Sequence, residues 1–352
     1  MRILGIETSC DETAAAVVQD GHKMLSNVIA SSVDLHKAYG GVVPEIAARS
    51  HLEAIIPVID EALEEAKTDW NEIDAIAVTY GPGLAGSLLI GVMAAKSLAI
   101  AKAKSLIAVN HVQAHPYAAF ITEKAKSYRL GAIGLNGKPP SFPMLSLIVS
   151  GGHTQLVLFR SHASYEVLGQ TGDDAVGEAF DKVAKILGLP YPGGPSIAEA
   201  AGHGDPLKYT LPIAKTDNKY DFSFSGLKTA VLRLAQEQTG HDYTFPSSKL
   251  PEALSEAQKA DIAASFQRVA IKSLVDKLKL AVEEFMPKSV VIAGGVAANQ
   301  ELRRQTAEAK INAIYPDIKL CTDNAAMIAS LAYFQKSLSD PHKLTIEPSL
   351  SM

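Results

Sequence analysis

The feature that most constrains the fold is a long-period repetition between the two halves of the chain. Each half contains a hairpin, a helix, a strand followed by a glycine loop and a helix, and then a strand followed by a polar loop and a helix. A duplication of this kind predicts two similar α/β lobes that face each other across a cleft. The corresponding segments are residues 1–19 and 144–159, 73–99 and 289–308, and 107–120 and 320–334.

The repetition also predicts the domain boundaries. The first lobe is expected over residues 1–125 and the second over 144–335, with a helical insertion around 200–285. Residues 126–143, rich in Lys, Gly and Pro, are predicted to connect the lobes, and 336–352 form a polar tail. The C-terminal helix is a candidate addition to the first lobe.

Local signals refine two of the predicted elements. The helix that starts at Pro44 is expected to break at Pro57, because an internal proline lacks the N–H that a helix uses. The stretch Lys319–Cys321 is predicted to be a strand that leads into a polar loop and the last helix.

The bulk composition is that of an ordinary globular protein. The 352 residues are 47% hydrophobic and 20% charged, with a net charge of -5, which argues against a surface that coats nucleic acid without excluding a local basic patch. No apolar run reaches membrane-spanning length, and Met1–Ile6 enters a strand directly, without the sections of a signal peptide. Two cysteines, Cys10 and Cys321, cannot form a disulfide framework. A cytoplasmic protein is therefore expected.

A pair of histidines is the first candidate for chemistry. His111 and His115 lie four residues apart where a buried strand is predicted to become a helix, so both imidazoles project from one helical face. Such a pair can hold a divalent metal, although Val112 stands where the metalloprotease pattern H-E-x-x-H requires Glu. The alternative is two partly buried histidines that only pack and form hydrogen bonds.

A distant loop strengthens the metal interpretation. Residues 319–330 contain Asp323 and Asn324 in a polar loop before the last helix. Two histidines and one carboxylate with open coordination positions are a recurrent site for iron or zinc. If the repeated loops lie at equivalent strand ends and line one cleft, His111, His115 and Asp323 come together.

Other loops carry weaker signals. The turn over residues 7–13 holds three acids and three hydroxyl groups, which can orient a metal-bound water or contact phosphate, or can form a solvated loop tip. Three glycine loops suit anion binding through backbone N–H groups, yet they can equally allow close packing or, in the second, a type I′ hairpin turn. These loops are residues 81–87, 150–154 and 294–299.

Seven motifs along the chain resemble the universal tRNA threonylcarbamoyltransferase family, in its bacterial TsaD and mitochondrial branch, formerly classed as an O-sialoglycoprotein endopeptidase (glycoprotease) family. The motifs occur in the family's order and span nearly the whole chain. They are IETSCDET (6–13), NHVQAH (110–115), VSGGHT (149–154), GEAFDK (177–182), YPGGP (191–195), FSFSGLK (222–228) and GGVAAN (294–299).

The resemblance implies a two-lobe actin/Hsp70-like (ASKHA) fold, with duplicated RNase H-like lobes around a central cleft. It implies transfer of the threonylcarbamoyl group from L-threonylcarbamoyladenylate to N6 of adenosine 37 in tRNAs reading ANN codons, which gives t6A37 and AMP. One divalent metal ion, Fe(II) first and Zn(II) second, would be held by His111, His115 and Asp323. The residues implied to bind the adenylate substrate are Ile148, Val149, Ser150, Gly151, Gly152, Asp181, Gly194 and Asn299.

One position departs from part of that family. Archaeal and eukaryotic cytosolic relatives have a Tyr that can bind the metal where this chain has Ile148. Because an aliphatic side chain cannot ligate, three protein ligands plus a substrate oxygen or water are expected. The resemblance does not identify a general base, and Asp11 and Glu12 both remain candidates.

The resemblance also implies partners besides tRNA and the adenylate. The bacterial type works with a TsaB-like paralogous subunit and a small TsaE-like P-loop ATPase, whereas the mitochondrial type is a homodimer. The competing hypotheses are a metalloprotease, a kinase or ATPase of the same fold, and an inactive scaffold. Retention of all three implied metal ligands weighs against the scaffold.

Overall fold

The computed structural model describes residues 1–121 and 139–352 in two compact units. The first unit comprises Met1–Ser141, Arg160–Tyr165 and Ile314–Met352, and the second comprises Phe142–Phe159 and Glu166–Ala313. Most of the predicted connection 126–143 lies outside the described residues. The sequence placed residues up to 335 in the second lobe, whereas the structure groups residues from Ile314 onward with the first unit.

Two five-stranded sheets with the same strand order form the framework. The first has the order β3-β2-β1-β4-β5 and the second the order β8-β7-β6-β9-β10. In each, the first strand pairs antiparallel with the second and parallel with the fourth, so the repetition seen in the sequence is confirmed at the level of topology. The strands are β1 (Arg2–Glu7), β2 (Glu12–Gln19), β3 (Lys23–Ser31), β4 (Ala75–Gly81), β5 (Ser105–Asn110), β6 (Met144–Val149), β7 (Thr154–Ser161), β8 (Ser164–Gln170), β9 (Ser289–Ala293) and β10 (Ala313–Ile314).

The central strands are buried throughout because helices cover them. All six residues of β6 and all five of β9 are buried, which is the pattern of a strand buried on both faces. The helices are α1 (Val33–His36), α2 (Pro44–Glu65), α3 (Ala85–Ala101), α4 (His111–Ala114), α5 (Val176–Leu187), α6 (Gly193–Ala201), α7 (Ser225–Gln238), α8 (Leu250–Ala253), α9 (Glu256–Phe285), α10 (Gln300–Glu308) and α11 (Ala325–Gln335). Among the helices of the described ranges, none combines the length and the apolar composition that a membrane crossing requires.

The last helix explains why the C-terminal segment belongs to the first unit. All eight residues from Ala325 to Ala332 are buried, and α11 packs against β1, β2 and β4. Its backbone comes so close to β1 that a Cβ atom at Gly5 would lie 2.3 Å from the carbonyl oxygen of Ala325. This burial fixes the loop that precedes α11 on the first sheet.

Two local predictions were wrong, and one strand of each sheet was missed. The helix α2 continues through Pro57, because Ile55, Val58 and Ile59 are buried and hold it against the sheet on both sides of the proline. Lys319–Cys321 is not a strand: a 3₁₀ turn spans Ile318–Leu320, and the fifth strand of the second sheet is β10. The third strand of each sheet, β3 and β8, was not predicted, since its residues alternate between buried and exposed only in part.

Candidate metal centre

The two histidines project from the helical turn that follows β5. Asn110 caps this turn, because its Oδ1 accepts a hydrogen bond of 3.1 Å from the backbone N–H of Gln113. His111 starts α4 and His115 starts the 3₁₀ turn His115–Phe120. Both are buried, and their ring centroids are 4.7 Å apart. The prediction that the two imidazoles share one helical face is therefore confirmed.

Asp323 faces this pair from the loop before α11. Its neighbour Asn324 caps α11, accepting a 3.0 Å hydrogen bond at Oδ1 from the N–H of Met327, and so fixes the loop. The Oδ1 atom of Asp323 lies 3.5 Å from Nε2 of His111 and 3.7 Å from Nε2 of His115. One candidate ligand atom from each of the three residues lies within 4.8 Å of the others.

These separations suit a shared metal ion better than direct hydrogen bonds. Distances of 3.5 and 3.7 Å exceed the usual N–H···O range. Ligand atoms about 2.1 Å from one ion, at angles between about 90° and 120°, are roughly 3.0 to 3.6 Å apart. Two imidazole nitrogens and one carboxylate oxygen also form a donor set that iron and zinc accept. The residues present therefore fit a divalent metal.

The two histidines and Asp323 come together in a different way from the one that the sequence predicted. The sequence placed the histidines and the carboxylate in opposite lobes, facing each other across a cleft. All three residues in fact belong to the first unit. The reason is the packing of α11 on the first sheet, which carries the Asp323 loop to the end of β5.

A buried carboxylate, Glu7, lies behind His111. Its Oε2 is 3.0 Å from Nδ1 of His111, and the same oxygen accepts a 2.5 Å hydrogen bond from the hydroxyl of Thr79. Its Oε1 accepts a 2.5 Å bond from the backbone N–H of Ser9. The sequence had counted Glu7 only as one of three acids in a turn. Its contact with a histidine far along the chain has no local signal.

The charges at the centre shift one another's pKa values. Burial alone raises the pKa of Glu7, but His111 and the hydrogen bonds outweigh it, so the pKa lies below its usual value. Burial lowers the pKa of His111, whereas Asp323 and Glu7 raise it more, to about 9. Burial, opposed by His111 and assisted by Glu7 and Asp11, raises the pKa of Asp323 to about 6. A site at which several carboxylates lie close together and repel one another favours a cation.

The acidic turn over residues 7–13 is anchored, which rules out the solvated loop tip. His51 of α2 is fully buried, with Nε2 2.9 Å from the carbonyl oxygen of Cys10 and Nδ1 2.8 Å from the hydroxyl of Thr13. Ser87 of α3 donates a 3.2 Å hydrogen bond to the same carbonyl oxygen. Burial, then Asp323 and Asp11, raise the pKa of Glu12 in this turn to about 10. The sequence missed His51, because one histidine in an amphipathic helix looks like an ordinary core residue.

The residues implied to bind the adenylate all lie in the second unit. Ile148 and Val149 end β6 and are fully buried, so their side chains do not project into solvent, and, being aliphatic, they cannot ligate a metal. The turn that follows is closed by a 2.9 Å hydrogen bond from the N–H of Ser150 to the carbonyl oxygen of His153. Neither Gly151 nor Gly152 has the positive φ that a type I′ turn needs, which excludes that alternative.

Two glycines, Gly177 and Gly294, bring their backbone close to this turn. A Cβ atom at Gly177, in the first turn of α5, would lie 2.6 Å from the carbonyl oxygen of Ser150. Gly294 has a φ of 96°, and a Cβ atom there would lie 2.4 Å from the carbonyl oxygen of Val149. The glycine loop after β9 and the start of α5 therefore both require close approach to the turn.

The other three implied substrate residues have structural partners within the second unit. Asp181 of α5 accepts a 2.7 Å hydrogen bond from the N–H of Gly193, which places Gly194 in the first turn of α6. Asn299 caps α10 through Oδ1 and donates from Nδ2 to Oε1 of Gln267 at 2.9 Å. These contacts order the loops, and a role in substrate binding stays a prediction.

Comparisons with solved structures agree with this architecture. Full-length HypF in its phosphate- and nucleotide-bound form aligns with a TM-score of 0.56 at 13% identity, covering 95% of this chain and 46% of that chain. Component A of (R)-2-hydroxyglutaryl-CoA dehydratase from Acidaminococcus fermentans aligns with a TM-score of 0.50 at 16% identity, covering 95% and 98%. At these identities the likeness concerns the fold alone. With the two repeated sheets, it confirms the predicted actin/Hsp70-like α/β class.

Comparisons with protein sequences are more specific. A protein from Thermomicrobium roseum is 51% identical over 342 residues, covering 95% of this chain and 92% of the relative. One from Symbiobacterium thermophilum is 52% identical over 336 residues, covering 94% and 91%. Both relatives are named tRNA N6-adenosine threonylcarbamoyltransferase. The family model TsaD, of the same description, matches residues 23–330, so the chain belongs to the tRNA N6-adenosine threonylcarbamoyltransferase family.

Proposed function

We propose that the chain transfers the threonylcarbamoyl group from L-threonylcarbamoyladenylate to N6 of adenosine 37 in tRNAs reading ANN codons. The products are t6A37 and AMP. A metal ion held by His111, His115 and Asp323 would take part. The observation that carries the metal assignment is the convergence of the two Nε2 atoms on Oδ1 of Asp323, at 3.5 and 3.7 Å. The donor set suits Fe(II) first and Zn(II) second.

The metal would act as a Lewis acid toward a carbamoyl or phosphate oxygen of the adenylate. His111, His115 and Asp323 fill three coordination positions and leave others for substrate oxygen or water. The exocyclic amine of adenosine is a weak nucleophile. Much of the rate enhancement must therefore come from holding the amine close to the carbonyl carbon and in the orientation for attack.

The turn after β6 would hold the adenylate. Gly151 and Gly152 are exposed and have open space where a Cβ atom would stand, so a phosphate or nucleoside can approach their backbone N–H groups. Because the side chains of Ile148 and Val149 are buried, these residues would contribute by fixing the start of the turn rather than by contact. Asp181, Gly194 and Asn299 would order the neighbouring loops.

Two alternative functions are less well supported. A metalloprotease of the H-E-x-x-H type needs a carboxylate between the histidines, and Val112 there is apolar and buried. A kinase or ATPase rests only on the fold, which hosts many activities. Purified protein should cleave no glycoprotein and should phosphorylate no small acid or sugar.

We further propose a TsaB-like paralogous subunit as protein partner, assisted by a TsaE-like P-loop ATPase, in the bacterial cytoplasm. The relatives near 50% identity are bacterial, which favours this type over the homodimer. Large apolar side chains are exposed on α2 and α3, two helices that pack together, and they suit an apolar interface. They are Leu52, Ile56, Leu89 and Met93.

The decisive experiment incubates the protein with threonylcarbamoyladenylate and unmodified tRNA and then analyses the nucleosides by mass spectrometry. The reaction is run with and without the candidate partners, and with protein stripped of metal and reloaded. Formation of t6A that disappears on stripping and returns on reloading supports the proposal. Absence of t6A in every reaction overturns the activity, and t6A at an equal rate without metal overturns the metal assignment.

A further inference from the structure

The carboxylate of Glu7 is the most enclosed charged group near the candidate metal centre. Its residue is 0% exposed, at the end of β1. Thr79 lies in the parallel neighbour β4, one residue beyond the Ile6–Val78 pair, which brings its hydroxyl to Glu7. No part of the proposed transfer uses Glu7, and burying a carboxylate is costly unless hydrogen bonds compensate.

We propose that Glu7 is a positioning residue that holds His111 in the tautomer whose Nε2 lone pair faces Asp323 and the metal. The two oxygens of Glu7 receive donors from Ser9, Thr79 and His111. A carboxylate can only accept, so the Nδ1 atom that lies 3.0 Å from it carries the ring proton. A neutral imidazole has one N–H, and Nε2 is then left unprotonated.

The orientation of the ring follows from the same contact. Nδ1 and Nε2 lie on opposite edges of the imidazole, so the carboxylate behind the ring directs Nε2 toward Asp323, 3.5 Å away. The hydroxyl of Ser9, 3.2 Å from Nδ1, can accept from the same N–H and adds a second partner on this edge of the ring. A histidine held by a carboxylate is a more basic and better oriented ligand than a free one.

A purely structural role is the competing explanation. Glu7 also ties β1 to β4 through Thr79, and its loss would then weaken the sheet without a specific effect on His111. The two explanations differ in measurable quantities. A structural role changes the free energy of unfolding, whereas a positioning role also changes the tautomer of His111 and the affinity for metal.

The test uses Glu7→Gln, Thr79→Val and the control Ser26→Ala. Ser26 is a buried residue of β3 whose hydroxyl accepts from the N–H of Val17, so the control removes a buried hydrogen bond of the same sheet elsewhere. Zn(II) affinity is measured by competition with a chromogenic chelator. The His111 tautomer is read in metal-free protein from its ring ¹⁵N chemical shifts, at a pH above the raised pKa of His111 of about 9, where the imidazole is neutral. Unfolding in urea reports stability.

Wild-type protein and Ser26→Ala should both show the Nδ1–H form of His111. Ser26→Ala should bind Zn(II) with the affinity of the wild type. Glu7→Gln should weaken Zn(II) binding about 10- to 100-fold and shift His111 toward the Nε2–H form, since a side-chain amide can donate to Nδ1. Thr79→Val removes the hydroxyl that donates to Oε2 of Glu7, so the carboxylate is held less firmly against Nδ1 of His111, and a smaller effect in the same direction is expected.

A Glu7→Gln protein that is less stable but binds Zn(II) within about twofold of wild type and keeps the Nδ1–H form would overturn the proposal. If Glu7→Gln does not fold, the Zn(II) affinity and the His111 tautomer of Thr79→Val decide. No change in either quantity would then overturn the proposal. The inference rests on the proposed metal site, but the two fail separately. Wild-type protein that binds no metal overturns the metal site, whereas the tautomer in metal-free protein still tests Glu7.

Discussion

The Oδ1 atom of Asp323 lies 3.5 Å from Nε2 of His111, and both residues belong to the first compact unit, although they are distant in sequence. One sheet and the helices packed on it therefore hold all three candidate ligands. The candidate metal centre belongs to that unit, so it can be tested through the binding of metal as well as through catalysis.

Removal of both imidazoles should abolish metal binding and tRNA modification. In His111→Ala with His115→Ala, two of the three ligands are lost, and a Lewis acid worth several kcal/mol disappears, so activity should fall at least roughly 100-fold. Circular dichroism should show that the fold is retained. Metal content and t6A formation are measured on the same preparation, and a metal-free double variant that modifies tRNA at the normal rate would contradict the metal role.

Replacement of the single carboxylate should weaken metal binding more than it changes stability. Asp323→Asn keeps the volume but offers a poorer ligand, and a loss of Zn(II) affinity of about 100-fold or more is expected. The control is Asp276→Asn, because Asp276 is exposed on α9 and pairs with Lys272, one turn away. Equal affinity in the two variants, measured by isothermal titration, would show that Asp323 is not a ligand.

Loss of the His51 side chain should loosen the acidic turn. In His51→Leu, the carbonyl oxygen of Cys10 and the hydroxyl of Thr13 lose a buried partner, and the free energy of unfolding should fall by about 2 to 4 kcal/mol. The double variant with Thr13→Val should lose less than the sum of the two single variants, because they share one hydrogen bond. Strict additivity in urea unfolding would argue against that bond.

An acid-dependent contribution to stability is expected from Asp174. Burial raises its pKa, but hydrogen bonds and charge from Lys182 and Lys228 outweigh this and lower it below the usual 3.8. A carboxyl group with a lowered pKa stabilises the folded state above its usual pKa, and this contribution is lost as the pH falls through the folded value.

The variant Asp174→Asn tests this sign. The variant should lower the free energy of unfolding by about 1 kcal/mol near neutral pH, an amount that solvent screening keeps small. This difference from wild type should shrink as the pH falls below 3.8. Urea unfolding at several pH values measures it, with Asp276→Asn expected to change little at any pH. A loss that is the same at acidic and neutral pH would mean that the charge of Asp174 is not responsible.

The apolar side chains on α2 and α3 should matter for association rather than for folding. Met93 is 50% exposed, and Met93→Glu should lower the affinity for a TsaB-like subunit at least about tenfold without lowering stability. Ile318→Glu, at an exposed position on another part of the first unit, is the matched control. Sedimentation of mixtures measures the affinity, and an unchanged complex would remove these helices from the interface.

Local patterns in the sequence predicted the elements that depend on local interactions. The apolar strands, the helical character of the insertion around 200–285, which contains the helix Glu256–Phe285, and the histidine pair at i and i+4 follow from side-chain period and spacing. The repeated order of elements predicted two similar sheets, because each order of strand and helix allows few topologies. These inferences needed no knowledge of long-range contacts.

Packing explains the local predictions that were wrong and the strands that were missed. Pro57 stays inside a helix because its neighbours are buried on the sheet, and burial outweighs the lost hydrogen bond. The strands β3 and β8 lack a clean alternation because each lies at the edge of its sheet. Residue spacing cannot report either fact.

The sequence by itself determined the duplicated α/β class, the family and the identity of the three candidate metal ligands. Only the tertiary structure decided that Asp323 reaches His111 and His115 within one unit, that Glu7 contacts His111, and that His51 anchors the acidic turn. The physical reason is that α11 buries the eight residues Ala325–Ala332, packs against the first sheet and carries the preceding loop there. Contacts between residues far apart along the chain depend on how elements pack, and a linear pattern does not record that packing.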